Sequence, residues 1–385
     1  MDDQERQRRE AVRRVLAGEP AAAVAKDLRR TERWVFKWQA RYDPSDPAWA
    51  AERSRAPDHV ANRTSEEVER LILEVRERLQ RQPWAQVGSM AISWELEKLR
   101  VHPLPEPRTI ERVLERAGAQ RRERREKYAA KGTAYPAPAA VGPNAVQEAD
   151  LVGPRHLAGG VAFNVLSVVD LGRHSAALEL QLSKGDRDTA ASLLRAWERL
   201  GIPVRLKLDN WLVATLHRSL PVTVWVCLAL GITAVFVPFA EPWRQGTVEH
   251  LNDTFDKRFF RTERFSGLRH LRRRLARFER FHDAHHRYAA LQGATPDEVT
   301  DRLRFVPRRP RADFALPTKM PRRGQVEFIR LIRSDRVLHV LGEQIVLGEE
   351  LVHEYVTARL DVASEHLDVL YLGRRIKRVA FKLRD

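Results

Sequence analysis

The runs AVQEADLV at 145–152, VAFNVLSVVD at 161–170 and SAALELQL at 175–182 decide the fold. Each is short, rich in apolar and β-branched residues, and separated from the next by a Gly-bearing turn, so three strands are predicted. A helix is expected from Arg187 to Leu200, ended by Gly201 and Pro203. Val204, Leu206 and Leu208 then alternate with charged residues, a fourth strand closing at Asp209. Val222 to Leu230 reads as a helix, Thr233 to Val237 as a fifth strand, and Val248, Leu251, Phe255 and Phe259 as one helical stripe. A basic helical segment runs from Leu268 to Ala290.

Three strands, a helix, a strand, a helix, a strand and a helix is the ribonuclease-H-like order. The expectation for 144–265 is therefore an α/β core with a mixed five-stranded sheet, followed by the basic helices of 266–300. Upstream, residues 1–45 carry three short helical stripes, with Thr31 placed to cap the third. That helix buries Val35 and Trp38 and exposes Arg33 and Lys37, with Arg29 and Arg30 in the turn before it. This is the layout of a helix-turn-helix, whose last helix enters the DNA major groove. Residues 62–120 repeat the plan: Ser65 caps a stripe of Val68, Leu71, Ile72, Val75 and Leu79, and the last helix exposes Arg108 and Arg112. Between 121 and 143 an arginine-rich run beginning Arg121, Arg122 gives way to Pro, Ala and Gly, a basic linker suited to phosphate contact. Downstream, 322–385 alternates at Val356, Ala358, Leu360 and Val362, with Gly373 at a hairpin, and is expected to form a small β-barrel.

Bulk chemistry narrows the partner. Lys and Arg number 68 against 52 Asp and Glu, a net +16, and such a field attracts polyanions, nucleic acid first among them. Hydrophobic residues at 43% are enough for packed cores and exclude a disordered chain. The single cysteine, Cys227, excludes an internal disulfide and reads as a buried small hydrophobe. No stretch approaches the roughly 18 apolar residues of a membrane span, and the charged opening from Asp2 lacks a leader's apolar core.

Three carboxylates stand out by where the strand order places them. Asp150 lies in the first strand, Asp209 closes the fourth, and Glu249 starts the helix after the fifth. Strands one and four are central neighbours in such a sheet, so their acids can share one space, with the helix lending the third. Carboxylates that close repel one another and take up protons unless cations intervene. Hard oxygen ligands suit Mg²⁺ or Mn²⁺. Two such ions can activate the attacking oxygen and stabilise the leaving one in a phosphoryl displacement. Spacing alone does not single out this set among 52 acids, and a lone Asp at a strand end is as a rule a turn former or an ion-pair member. Asp170, closing the second strand, is read that way.

Specific residues then carry a resemblance. Gln147-Glu148-Ala149-Asp150-Leu151-Val152-Gly153-Pro154 is similar to the first-strand motif of DDE-type insertion-sequence transposases of the retroviral-integrase superfamily, and Asp209-Asn210 to the second motif. Glu241-Pro242-Trp243-Arg244-Gln245-Gly246-Thr247-Val248-Glu249-His250-Leu251-Asn252 resembles the third, with Pro, Gly, Glu and Asn in register. The resemblance spans nearly the whole chain. It implies Asp150, Asp209 and Glu249 as catalytic residues holding two Mg²⁺ or Mn²⁺ ions, nicking at transposon ends, and attack of the freed 3′-hydroxyl on target DNA. It also implies a homo-multimer on double-stranded DNA in the bacterial cytoplasm, associated with the nucleoid. Arg244 and Gln245 are placed for phosphate contact and Asn252 to orient a ligand or DNA, while Gly246 suits a sharp backbone turn close to DNA. Trp211 stands where the family usually has Gly, and Asp253 and Asp256 where basic residues are common. The competing expectation is a catalytically inactive DNA-binding protein or repressor derived from a transposase. His282, His285 and His286 have no cysteine nearby and are expected on a helix surface.

Overall fold

In the computed structural model, which describes residues 3–52, 63–119, 134–213 and 216–384, the chain divides into two units, Met1–Arg63 and Thr64–Asp385. Arg121 and Arg122 lie outside the described residues. The first unit holds α1 (Asp3–Leu16), α2 (Ala21–Asp27) and α3 (Glu32–Gln39). The Thr31 hydroxyl accepts from the Trp34 amide at 3.3 Å, so the cap expected from sequence starts the third helix. Ala11, Val24, Ala25 and Val35 pack between the three helices.

The second unit begins with α4 (Glu66–Arg81), α5 (Ser89–Lys98) and α6 (Pro107–Arg116). Ser65 caps α4, and Ile72, Val75 and Leu79 meet Ile92, Leu96, Ile110 and Val113 in a small core. Trp84, between α4 and α5, joins this trio to the rest of the unit. Its indole donates to Glu263 at 2.6 Å and packs edge-on against Phe278.

The expected strands follow as β1 (Val146–His156), β2 (Ala162–Asp170), β3 (Ala176–Gln181), β4 (Arg205–Leu208) and β5 (Thr233–Phe236), with α7 (Asp186–Leu200) and α8 (Val222–Leu230) between them. Their spatial order is β3-β2-β1-β4-β5, the first three antiparallel and the last two parallel to β1, which is the ribonuclease-H-like arrangement. Alternation along β2 sends Leu166 and Val168 to the face covered by Leu193 and Trp197 of α7. Phe163 and Val165 face Val248, Leu251 and Phe255 of α9 (Gly246–Phe255) and Phe278 of α10 (Leu268–His285). A short α11 (Pro296–Leu303) follows. Among the described residues no helix is long and apolar enough to cross a membrane.

The C-terminal segment corrects the expectation. Its strands β6 (Gln325–Leu331), β9 (Tyr355–Asp361), β10 (His366–Tyr371) and β11 (Arg374–Ala380) do not close into a small barrel. They extend the core sheet from five strands to nine, β6 pairing in parallel with β5. Only β7 (Val337–Val340) and β8 (Glu343–Val346) form a separate hairpin. The reason lies in β6. Val326 and Phe328 enter one core and Ile329 another, so the strand is buried on both faces and needs a place inside a sheet. Beside β5 it also removes an unpaired edge.

A second correction concerns α10. His282 and His286 are buried, and only His285 is on the surface. The stripe Leu271, Leu275, Phe278 reaches His282 at helical spacing, which carries that ring inward to Tyr288 Oη and Asp283. His286 Nε2 meets the Trp84 carbonyl at 2.8 Å. Burial pushes His282 and His286 down to about 3 and His174 to about 4, and pushes Asp283 up to about 7. The unfolded chain therefore takes up imidazole protons from about pH 6.5 downward that the folded chain refuses, opposed by the carboxyls that burial raises: Asp283, Asp150, Asp170, Glu249, Glu279 and Asp297. The imidazole contribution should be full above about pH 6.5 and fall as pH drops toward 3, exceeding the opposing carboxyl contribution at about pH 5, where Tm should be lower than at about pH 7.5. Equal Tm values would contradict these buried, neutral rings.

Candidate active site

Parallel pairing of β1 with β4 sets Glu148 opposite Lys207. Carried two residues further, the same register brings Asp150 level with Asp209, and in each strand the residue two places earlier shares the aspartate's face. Asp150 is partly buried; its Oδ1 accepts from the Leu151 amide at 2.9 Å and its Oδ2 from Asn252 Nδ2 at 2.8 Å. Burial raises its carboxyl above the usual aspartate range, and the charge of Asp209 raises it further. Glu249, exposed on the first turn of α9, is raised by partial burial and then by Asp150 and Glu148. Asp150 thus feels the charge of Asp209, and Glu249 that of Asp150, and among the described residues none of the three is in an ion pair. They do not close further: among the described residues no three His, Cys, Asp or Glu side chains stand together as a ready metal-ligand set.

What holds these acids in place is a set of buried residues that sequence reasoning missed. Lys207 Nζ donates to Glu148 Oε1 at 2.5 Å and to the Arg244 carbonyl at 2.6 Å. Glu148 Oε2 accepts the Val248 amide at 3.0 Å. One ion pair therefore ties β1, β4 and the start of the helix bearing Glu249, satisfying an otherwise orphan N-terminal amide. The signal was present in the sequence as a charged residue two positions ahead of each aspartate. On the other side Asp209 caps the short turn Asn210–Leu212. Asn210 is buried; it donates to the Val237 carbonyl at 2.6 Å and accepts from Arg330 of β6 at 2.9 Å. Arg330 meets carbonyls of Val237 and His339 and, among the described residues, no carboxylate, and burial pushes it down to about 9.

The third motif is clamped by the same C-terminal strands. Glu241 is buried and accepts from Tyr355 Oη at 2.7 Å and from Arg244 Nε at 3.0 Å. Arg244 also donates to Tyr355 Oη at 2.9 Å, and its guanidinium stacks 3.9 Å from the Tyr135 ring. This arginine, expected to meet a phosphate, is engaged inside the protein. Among the described residues, buried Gln245 has Nε2 unpartnered, and Asn252 keeps a buried, unpartnered Oδ1 beside Asp150. Gly246 sits at φ −58° with open space where a Cβ would lie, so its backbone does not require glycine. Trp211, beside Asp209, is part-exposed. Asp170 lies apart as a turn residue, accepting from Asn144 N, Gly172 N and Arg173 Nε.

Arg33 and Lys37 lie exposed on α3, with Arg29 and Arg30 exposed in the turn before it. Residues 2–48 match the family model of a homeodomain-like domain. On α6, in the other unit, Arg108 and Arg112 are exposed as well. No curated protein matches the chain. Similar solved structures include the HTLV-2 integrase catalytic core domain in complex with magnesium (15% identity, 42% of this chain and 99% of that one, TM-score 0.31). The simian T-cell lymphotropic virus intasome in complex with PP2A regulatory subunit B56 gamma is similar at 14% identity over 77% of this chain and 93% of that one, with TM-score 0.37. The BIV integrase catalytic core domain is similar at 17% identity over 42% and 96%, with TM-score 0.32. At such scores the likeness carries no argument, and the fold rests on the strand order and register above. A homeodomain-like module ahead of a ribonuclease-H-like core is the arrangement that the resemblance to insertion-sequence transposases implied.

Proposed function

We propose that this chain is a DNA transposase of the retroviral-integrase superfamily, cutting at transposon ends and joining the freed 3′-hydroxyl to target DNA. The observation that supports it most is the parallel β1–β4 register, which carried two residues on levels Asp150 with Asp209, while Glu249 feels the charge of Asp150. Carboxylates gathered near one another with no ion-pair partner among the described residues fit a hard divalent ion, Mg²⁺ or Mn²⁺, in the number the resemblance implies, two. Bound there, such ions supply the positive charge that an in-line phosphodiester displacement demands. Asn252 orients the Asp150 carboxylate, and its free Oδ1 is left to a ligand or to DNA. The Glu148–Lys207 pair holds the Glu249 helix against β1, while Asn210 and Arg330 fix the turn after Asp209. The homeodomain-like module, with Arg29, Arg30, Arg33 and Lys37, reads the element ends, with Arg108, Arg112, Arg121 and Arg122 gripping backbone, and the protein acts as a multimer on paired ends.

A DNA-binding protein without catalysis is the second reading, favoured by the absence of a closed ligand set among the described residues. Incubation with duplexes carrying the element's terminal repeats separates the two. Mg²⁺- or Mn²⁺-dependent nicking and joined products support the transposase, and binding with no metal-dependent product under any condition supports the second reading.

A further inference from the structure

An open groove of about 920 Å³ lies between the end of α4 and the outer face of α10, away from the three acids. Arg81, Arg258, Arg264, Arg273, Arg277 and Arg280 line it. Glu263, the one acid among its lining residues, is already taken up: Arg274 grips both its oxygens at 2.7 Å and the Trp84 indole donates to it at 2.6 Å. Arg81 is paired with Glu77 at the lip. Among the described residues Arg258, Arg264, Arg273, Arg277 and Arg280 have no carboxylate partner. Arg258 is half-buried, and burial together with the like charge of Arg76 holds it below the ordinary guanidinium range. Cations gathered in a concave wall at this density repel one another until an anion enters.

We infer that this groove seats the sugar–phosphate backbone of duplex DNA, at a second surface separate from the helix-turn-helix and from the acids. Arg273, Arg277 and Arg280 fall at i, i+4 and i+7, on one face of α10. They span about 10 Å of helix axis, which matches about three phosphates of one strand at 3.4 Å each. Arg258 lies nine residues beyond Glu249 in one continuous helical run that passes into Asp256–Phe260. Guanidinium forks suit phosphate oxygens better than a compact ammonium does, and the groove is lined by Arg with no Lys.

The inference rests on the DNA-binding reading, and its test keeps the two apart. Binding of the full chain to an arbitrary-sequence duplex is followed by fluorescence anisotropy across a salt series. The variant Arg273→Gln/Arg277→Gln/Arg280→Gln changes exposed side chains, and the exposed set Lys319→Gln/Arg322→Gln/Arg323→Gln removes the same charge elsewhere. The groove variant should flatten the log–log salt slope by about 2–3, at about 0.9 for each phosphate left unneutralised, and lower affinity at least about tenfold, with the control near wild type. A groove variant indistinguishable from wild type overturns the inference while the DNA reading stands, as does a control that flattens the slope equally. Wild-type binding that is absent or insensitive to salt removes the groove and the DNA reading together.

Discussion

Asp209→Asn should abolish metal-dependent strand cleavage and joining, by about 10³-fold or more, while leaving duplex binding within about twofold of wild type. Asp209 is exposed and its Oδ1 accepts only the Asn210 amide among the described hydrogen bonds. An asparagine oxygen can keep that turn bond, so the fold should be unaffected and the change confined to charge. Removing this charge should also lower the Asp150 carboxyl toward its ordinary range, since Asp209 is one cause of its rise. Activity measured on terminal-repeat duplexes, with affinity and Tm measured on the same preparation, checks the expectation. Loss of binding in step with activity would make Asp209 structural, and retained activity would remove it from the chemistry.

Lys207→Met should be the most destabilising single change near the site, by about 3–5 kcal/mol. Lys207 and Glu148 are both nearly inaccessible, and the variant leaves the Glu148 carboxylate buried without its cation. The double variant Glu148→Gln/Lys207→Met should recover much of the loss, because a neutral amide still accepts the Val248 amide and no charge remains stranded. Denaturant midpoints for the single and double variants decide the matter. If the two unfold alike, the pair is not what couples β4 to the start of α9. Activity in the double variant should stay below wild type, since the Arg244 carbonyl that Lys207 held is released as well.

The parts of the fold that were readable in the sequence are those whose signal is local. The runs at 145–152, 161–170 and 175–182 alternate or fill with β-branched residues, and the helices between later strands carry their own stops, so order and type follow without the structure. The partner of a strand is not local information. Val356 to Val362 reads as a strand in a barrel or in a sheet alike, and only the burial of Val326, Phe328 and Ile329 on two faces commits the segment to β5. The same blind spot governs the site. Asp150 and Asp209 were legible because strand order implies their adjacency. Glu148 and Lys207 were legible in principle, being charges on the aspartates' own faces. Arg330 and Tyr355 were not, because they reach Asn210 and Glu241 from strands assigned to another body. Arg244 reads as a phosphate contact until Tyr135, Tyr355 and Glu241 are seen around it.

The proposed chemistry has Asp150, Asp209 and Glu249 together hold divalent ions against a phosphodiester. Its most direct test is Mn²⁺ titration of the full chain on saturating duplex DNA, followed by electron paramagnetic resonance, for wild type and for Asp150→Asn, Asp209→Asn and Glu249→Gln. Saturable binding in wild type that is weakened in each of the three variants is the predicted result. Binding that is absent in wild type, or undiminished in all three variants, would contradict it.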